Sequence, residues 1–314
     1  MLDLIIIGGG PAGASAGVYA ARKRLKTILV AHEWGGQSTV SDNIQNWIGS
    51  PTISGRQLSE NLRKHVESYA GDSLSIVFPD TAVALKRDKD KVTVTLASGK
   101  KYEARAILIT AGATRRKLDI PGALEYEQKG LTYCATCDGP LFDGKDVAVI
   151  GGGNAAFETA SQLLAYCKTV TLMVRGDTYR ADEITVHAVL AHPNMRVIKN
   201  ATPTAVIGNK FVNGLKWKNT ATGTEETLAV EGIFVEIGLL PNTSWLADSL
   251  ALNKIGQIMV DPLTQRAYVL DGKIAPSRVW AAGDCTDGKY HQNNIAAGDA
   301  VKALEDIYLF IKSS

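Results

Sequence analysis

Two short apolar runs open onto glycines and then into helical stretches. Leu2 to Ile7 leads into Gly8-Gly9-Gly10-Pro11-Ala12-Gly13 and an alanine-rich segment, and Val147 to Ile150 leads into Gly151-Gly152-Gly153-Asn154-Ala155-Ala156 and a second helical segment. A short apolar run bounded by turn residues predicts a buried strand, so each copy predicts strand, glycine turn and helix. Both copies match G-x-G-x-x-[G/A], in which the first glycine makes the turn, the second lets backbone approach a pyrophosphate, and the third position packs helix on strand. The phosphates then sit on the helix N-terminus, where free N–H groups and the dipole favour negative charge.

Each half closes on a second matching element. Ala106 to Thr110 is a buried-type strand followed by Gly112 and Pro121, and Ile233 to Ile237 is followed by Gly238, Pro241 and Asn242. Lys91 to Leu96 with Tyr102 to Ala104 around Ser98-Gly99 predicts a β-hairpin, as does Gly214 to Lys218 with Thr227 to Val230 around Thr222-Gly223. A third apolar strand, Arg278 to Ala282, ends in Gly283-Asp284 and precedes a helix from about Asn294 to Ile311. This tail carries no glycine fingerprint, so it completes one of the two domains. Placing it on the first gives an α/β protein of two Rossmann-like, three-layer ββα dinucleotide-binding domains, the second inserted into the first.

Composition narrows the classes. The 314 residues suit about two domains, and 34 basic against 32 acidic side chains give a net charge of +2, which supplies no field for nucleic acid or an anionic membrane. Every apolar run, Leu4 to Ile7 among them, is far short of a membrane span, and Asp3 stands where a signal peptide would be basic; a cytoplasmic protein is expected. Four cysteines at 134, 137, 167 and 285 are too few and too unevenly spaced for a disulfide framework, and one CxxC makes a poor zinc site. In a reducing compartment Cys134-Ala135-Thr136-Cys137 therefore points to redox chemistry. Cysteines at i and i+3 meet on one helical face, and a helix N-terminus lowers a thiol pKa. His65, His187 and His192 show no ligand spacing; Cys167 reads as core, and Cys285 as structural, with a thiol close to a bound cofactor as the alternative.

The N-terminal glycine motif, Gly35-Gly36-Gln37, Tyr133-Cys134-Ala135-Thr136-Cys137-Asp138-Gly139, Gly151 to Ala156, Gly238 to Asn242, Gly283-Asp284 and Gln292 together resemble the low-molecular-weight thioredoxin reductase family, including the flavoprotein part of alkyl hydroperoxide reductases. The resemblance runs the length of the chain. It implies that residues 1–115 with 243–314 bind FAD, that 116–242 bind NADPH and carry the cysteines, and that the protein is a homodimer. It further implies that Cys137 exchanges electrons with the flavin, that Cys134 attacks the substrate disulfide, and that Asp138 is the proton donor and acceptor, with a plain helix N-terminal acid as the competing reading.

On the same resemblance the FAD site draws on Gly8, Gly10, Pro11, Ala12, Gly13, Gly36, Gln37, Asn46, Gly112, Asp284, Gln292 and Ile295. Glu33 is the acid nearest the spacing expected for ribose recognition, with a solvent-facing role as the alternative. His291 stands where family members often have Arg or Lys, a change able to alter flavin potential or its pH dependence, with an ordinary surface histidine as the alternative. The nicotinamide site draws on Gly151, Gly153, Asn154, Ala155, Ala156, Arg175, Arg180 and Gly238. Here the sequence departs from the family: the His-Arg-Arg run followed by Arg reads Val174-Arg175-Gly176 with Arg180. Arg175 at a strand end favours NADPH over NADH, because a 2′-phosphate wants a guanidinium where a 2′-OH wants a carboxylate, with a plain surface residue as the alternative; the lost Arg implies weaker discrimination.

The implied reaction carries a hydride from NADPH to FAD and then two electrons through Cys134 and Cys137 to the disulfide of a thioredoxin-like or glutaredoxin-like protein. Relative rotation of the domains is part of that implication, with hinges near 113–118 and 241–245. With no thioredoxin-like domain ahead of Met1, a separate disulfide protein is the expected partner. A donor such as ferredoxin, a small-molecule dithiol oxidase, and a flavin-binding redox sensor are the competing readings.

Overall fold

The computed structural model describes residues 1–41, 44–270 and 278–313. The chain divides into two units, one formed by Met1–Thr114 with Leu240–Ser314 and the other by Arg115–Leu239. The crossings between these units lie at 114/115 and 239/240. Asn242 shows why: its N–H reaches the Gly112 carbonyl at 3.1 Å, its Oδ1 accepts from the Thr114 hydroxyl at 3.0 Å, and both partners belong to the first unit.

In the first unit, strands Leu74–Val77, Thr27–Trp34, Leu2–Gly9 and Lys101–Ile109 lie side by side and parallel. Leu4, Ile5 and Ile6 are fully buried, as are Ala106, Ile107, Leu108 and Ile109. Strands covered on both faces need such unbroken apolar runs. The far edge of Lys101–Ile109 is shared: its first residues pair antiparallel with Val92–Leu96, which pairs on with Ala82–Arg87, and its last three pair parallel with Val279–Ala281. Helices Pro11–Arg22 and Asn293–Ser313 cover one face of the sheet, and the other faces Leu246, Leu250, Ile258 and Ala267. The long helix buries Ala296, Ala300, Ala303, Leu304, Ile307 and Ile311, the spacing of a single apolar stripe. Fully buried Trp280 needs a partner for its indole N–H. It donates to Asp306 on that helix at 2.8 Å, and Arg266 reaches the same oxygen at 2.6 Å.

The second unit repeats the plan. Its parallel sheet runs Met195–Ile198, Thr169–Met173, Asp146–Ile150, Gly232–Val235, Leu131–Thr132 in spatial order. Helices Asn154–Leu163 and Glu183–Leu190 accompany it, and a separate antiparallel sheet comprises Ala201–Gly208, Val212–Asn219 and Glu225–Leu228. The last strand stops before Val230, whose side chain turns into the core beside Leu131, Ala148 and Ile233. Two Rossmann-like units, the second interrupting the first, are therefore present. Among the described residues no helix is long and apolar enough to cross a membrane.

Candidate active site

The first glycine turn assigns each glycine a physical task. Gly8 has φ +125°, and a Cβ on Gly8 or Gly13 would strike backbone, the Thr110 carbonyl in one case and the Gly8 carbonyl in the other. Gly10 differs: a Cβ there would meet no protein atom within 4 Å. It caps helix Pro11–Arg22 without a side-chain hydrogen bond, and no acidic residue occupies the first turn. The helix N-terminus is consequently left to an anion from outside. It opens on a cavity of about 720 Å³ that Gly8, Gly10, Pro11, Ala12, Glu33, Gly36, Gln37, Gly112 and Asp284 all line, a volume within the usual range for cofactor sites. Gly112, at φ +63°, has the same open space around its missing side chain. An elongated anionic cofactor such as FAD fits this lining.

In the second unit Cys134 caps the short helix Ala135–Asp138 and is disulfide-bonded to Cys137, their Cα atoms 5.4 Å apart. Both are half-buried. Asp138 behind them is buried at 7% exposure and accepts a hydrogen bond from the Thr132 hydroxyl. The same hydroxyl accepts the Cys134 N–H at 3.2 Å, so one buried threonine fixes both the cap and the carboxylate. Gln162 donates to the Ala135 carbonyl at 3.3 Å. A Cβ on Gly139 would run into the Tyr166 hydroxyl. The other thiols are of another kind: Cys167 and Cys285 are unbridged and buried, and burial pushes their pKa values up to about 11 and about 12. Such thiols are inert core groups rather than nucleophiles.

The second glycine turn mirrors the first. Gly151 has φ +153° and its Cβ would hit the Glu236 carbonyl; Gly153 faces open space; fully buried Ala156 packs against the turn. Gly153 caps helix Asn154–Leu163, again with no side-chain cap and no acid in the first turn. The Arg180 N–H donates to the Gly152 carbonyl at 2.7 Å, and Asn154 Oδ1 accepts the Asp182 N–H at 2.8 Å. Those bonds bring Arg180 beside the turn, while Arg175 follows strand Thr169–Met173; both side chains are exposed. Glu236, at the end of strand Gly232–Val235, has a side chain only 13% exposed. Burial raises its carboxyl above the ordinary range, against the opposing pull of Arg115 at 3.9 Å and the Thr159 hydroxyl at 2.9 Å.

Residues 2–300 match the family model described as pyridine nucleotide-disulphide oxidoreductase. The chain belongs to the pyridine nucleotide-disulphide oxidoreductase family. Within it, the thioredoxin reductase-like flavoproteins share this architecture. The Giardia duodenalis thioredoxin reductase structure superposes with a TM-score of 0.89 at 31% identity over 99% of both chains. That of Streptococcus pyogenes MGAS5005 gives 0.86 at 30% over 100% of this chain and 99% of the other. Among curated relatives, a Bacillus subtilis (strain 168) protein named NADH dehydrogenase is 38% identical over 96% of this chain and 57% of its own length. An alkyl hydroperoxide reductase component of Staphylococcus aureus (strain MSSA476) is 38% identical over 98% of this chain and 59% of its own. The chain thus spans less than two thirds of the curated relatives it matches.

Against this pyridine nucleotide-disulphide oxidoreductase framework, five of the residues expected at the flavin stand outside the cavity lining. Gly13 lies beneath the turn, against the Gly8 carbonyl. Asn46 Nδ2 donates to Gln292 Oε1 at 2.9 Å, Ile295 is 38% exposed, and His291 Nδ1 lies 3.4 Å from Asp284 Oδ1, reaching the cavity through that carboxylate. Sequence reasoning missed Ser38, which lines the cavity and donates to Asn293 at 3.0 Å. It also missed Thr132 and Glu236; the only trace of them in the sequence is a polar residue ending an apolar strand. Gly238, at φ +106°, accepts the Arg116 N–H at 3.0 Å.

Proposed function

We propose that the chain is an FAD-dependent NADPH:protein-disulfide oxidoreductase acting, as a homodimer, on a thioredoxin-like or glutaredoxin-like protein. The single observation that carries this reading is the Cys134–Cys137 disulfide, held on a helical turn in the unit that also presents the second glycine turn. FAD, bound along the first glycine turn, would supply a two-electron relay between nicotinamide and disulfide. Two electrons and one proton convert the disulfide to a thiol and a thiolate, and on this reading buried Asp138 handles that proton. The Cys134 thiolate attacks one sulfur of the partner disulfide, forming a mixed disulfide and expelling a partner thiolate. Cys137 then attacks the Cys134 sulfur, releasing the second partner thiol and restoring the internal bond.

A second reading, NADH as donor, is supported by the missing arginine at the strand end, where Gly176 follows Arg175, and by the relative named NADH dehydrogenase. Anaerobic stopped-flow mixing with NADPH and with NADH, following the visible flavin absorbance, tests both. Rapid bleaching by NADPH, with reoxidation only on adding a disulfide protein, is the expected result. Bleaching by neither nucleotide overturns the nicotinamide reading, and reoxidation by oxygen alone at the same rate overturns the disulfide-protein reading.

A further inference from the structure

Strand order fixes the direction in which a dinucleotide crosses the second unit. The glycine turn follows strand Asp146–Ile150, whose neighbours are Thr169–Met173 on one side and Gly232–Val235 on the other. In such sheets the ligand lies outside the carboxyl ends of the strands, pyrophosphate on the glycine turn and adenosine ribose toward the second strand, here the Arg175 side. The nicotinamide half must then run the opposite way, over the end of Gly232–Val235. The residue at that end is Glu236.

Its side chain is prepared for a ligand on one side only. Both the Thr159 hydroxyl at 2.9 Å and Arg115 at 3.9 Å address Oε1. Among the described residues Oε2 has no protein partner, and it is not fully enclosed. The remaining charge facing the group is Glu158, exposed on the helix beside Thr159. A buried carboxylate tethered at one oxygen and open at the other is a directed acceptor, and the nicotinamide carboxamide carries two N–H donors.

Resting on the nicotinamide reading above, we propose that Glu236 Oε2 accepts a hydrogen bond from the carboxamide and so sets the position of the nicotinamide ring, with Thr159 and Arg115 holding the carboxylate in place. The test is isothermal titration of the FAD-loaded protein with NADP⁺ and with 2′-phospho-ADP-ribose, which lacks only the nicotinamide. Glu236→Ala and the volume-preserving Glu236→Leu should each weaken NADP⁺ binding by about tenfold or more, the scale of one lost hydrogen bond to a charged group, and leave 2′-phospho-ADP-ribose unchanged. Glu236→Gln, which keeps an acceptor oxygen, should restore most of the NADP⁺ affinity. Equal weakening of both nucleotides, or no weakening in either variant, overturns the proposal while sparing the donor reading. Binding of neither nucleotide by the unmodified protein overturns both.

Discussion

Gly10 and Gly13 sit three residues apart in one motif yet answer to different neighbours, which makes them a sharp test of the flavin cradle. Gly10 has φ −77° and ψ −172°, extended backbone open to any residue, and its Cβ would enter empty space. Gly10→Ala should therefore leave the melting temperature of FAD-free protein unchanged, within the ~0.5 kcal/mol usual for substitutions touching nothing. The added methyl would occupy the approach to the helix N-terminus, so FAD affinity should fall by at least about tenfold, or ~1.4 kcal/mol. Gly13→Ala drives its methyl onto the Gly8 carbonyl and to within 2.9 Å of the Thr110 hydroxyl. Overpacking of that kind costs about 1–3 kcal/mol, which for a unit of this size lowers the melting temperature by roughly 2–4 °C per kcal/mol. Thermal melts followed by circular dichroism, with and without FAD, and quenching of free-FAD fluorescence on binding measure the two effects. The reasoning fails if Gly10→Ala melts several degrees low without cofactor, or binds FAD as tightly as the parent.

Cys137→Ser should abolish turnover with a disulfide protein while the flavin is still bleached by its nicotinamide donor; a normal turnover rate in that variant would sink the mechanism. Thr132→Val removes the hydrogen bonds to Asp138 and from Cys134 N–H at nearly constant volume, and should cost about 2–4 kcal/mol, read as a shifted urea midpoint. Iodoacetamide at pH 8 should leave Cys167 and Cys285 unlabelled in the native protein but modify Cys134 after dithiol reduction, as mass spectrometry of tryptic peptides would report. The same two thiols make stability pH-dependent. Their folded pKa values, about 11 and about 12, lie above the ordinary 9.0, so their contribution is complete below pH 9 and is lost as pH rises through the folded values. Cys285→Ala should flatten that alkaline decline in a series of urea titrations.

The parallel strands, both glycine turns and the cysteine pair were legible because each is a local pattern with one physical reading. Gly8 must bend the chain, Gly10 must leave room and Gly13 must admit a carbonyl; the structure assigns those tasks in that order. What stayed hidden depends on distant parts of the chain. Glu236 looks like any polar residue closing an apolar strand, and only the packing of Thr159 and Arg115 around it reveals a buried carboxylate. Thr132 stands out only once the turn after it folds back to bring Asp138 within reach. Ser38 and Asn293, far apart in sequence, share one hydrogen bond at the cavity wall. The second-unit strand end at Leu228 came earlier than alternation suggested because Val230 is claimed by the core, a preference that local β-propensity does not register.

The paired crossings between the units carry a consequence for how such a chain can be altered. The short strands Ala113–Arg115 and Leu239–Pro241 pair with each other, and the Arg116 N–H to Gly238 carbonyl bond ties the two ends of the inner unit together. Asn242 closes the outer unit in the same way through Gly112 and Thr114. Each unit thus has its two chain ends held together, the connectivity in which domain insertion is tolerated. Segment 115–239 is in these terms a cassette to be traded between relatives, carrying the second glycine turn and the disulfide together and leaving the first glycine turn of the recipient untouched.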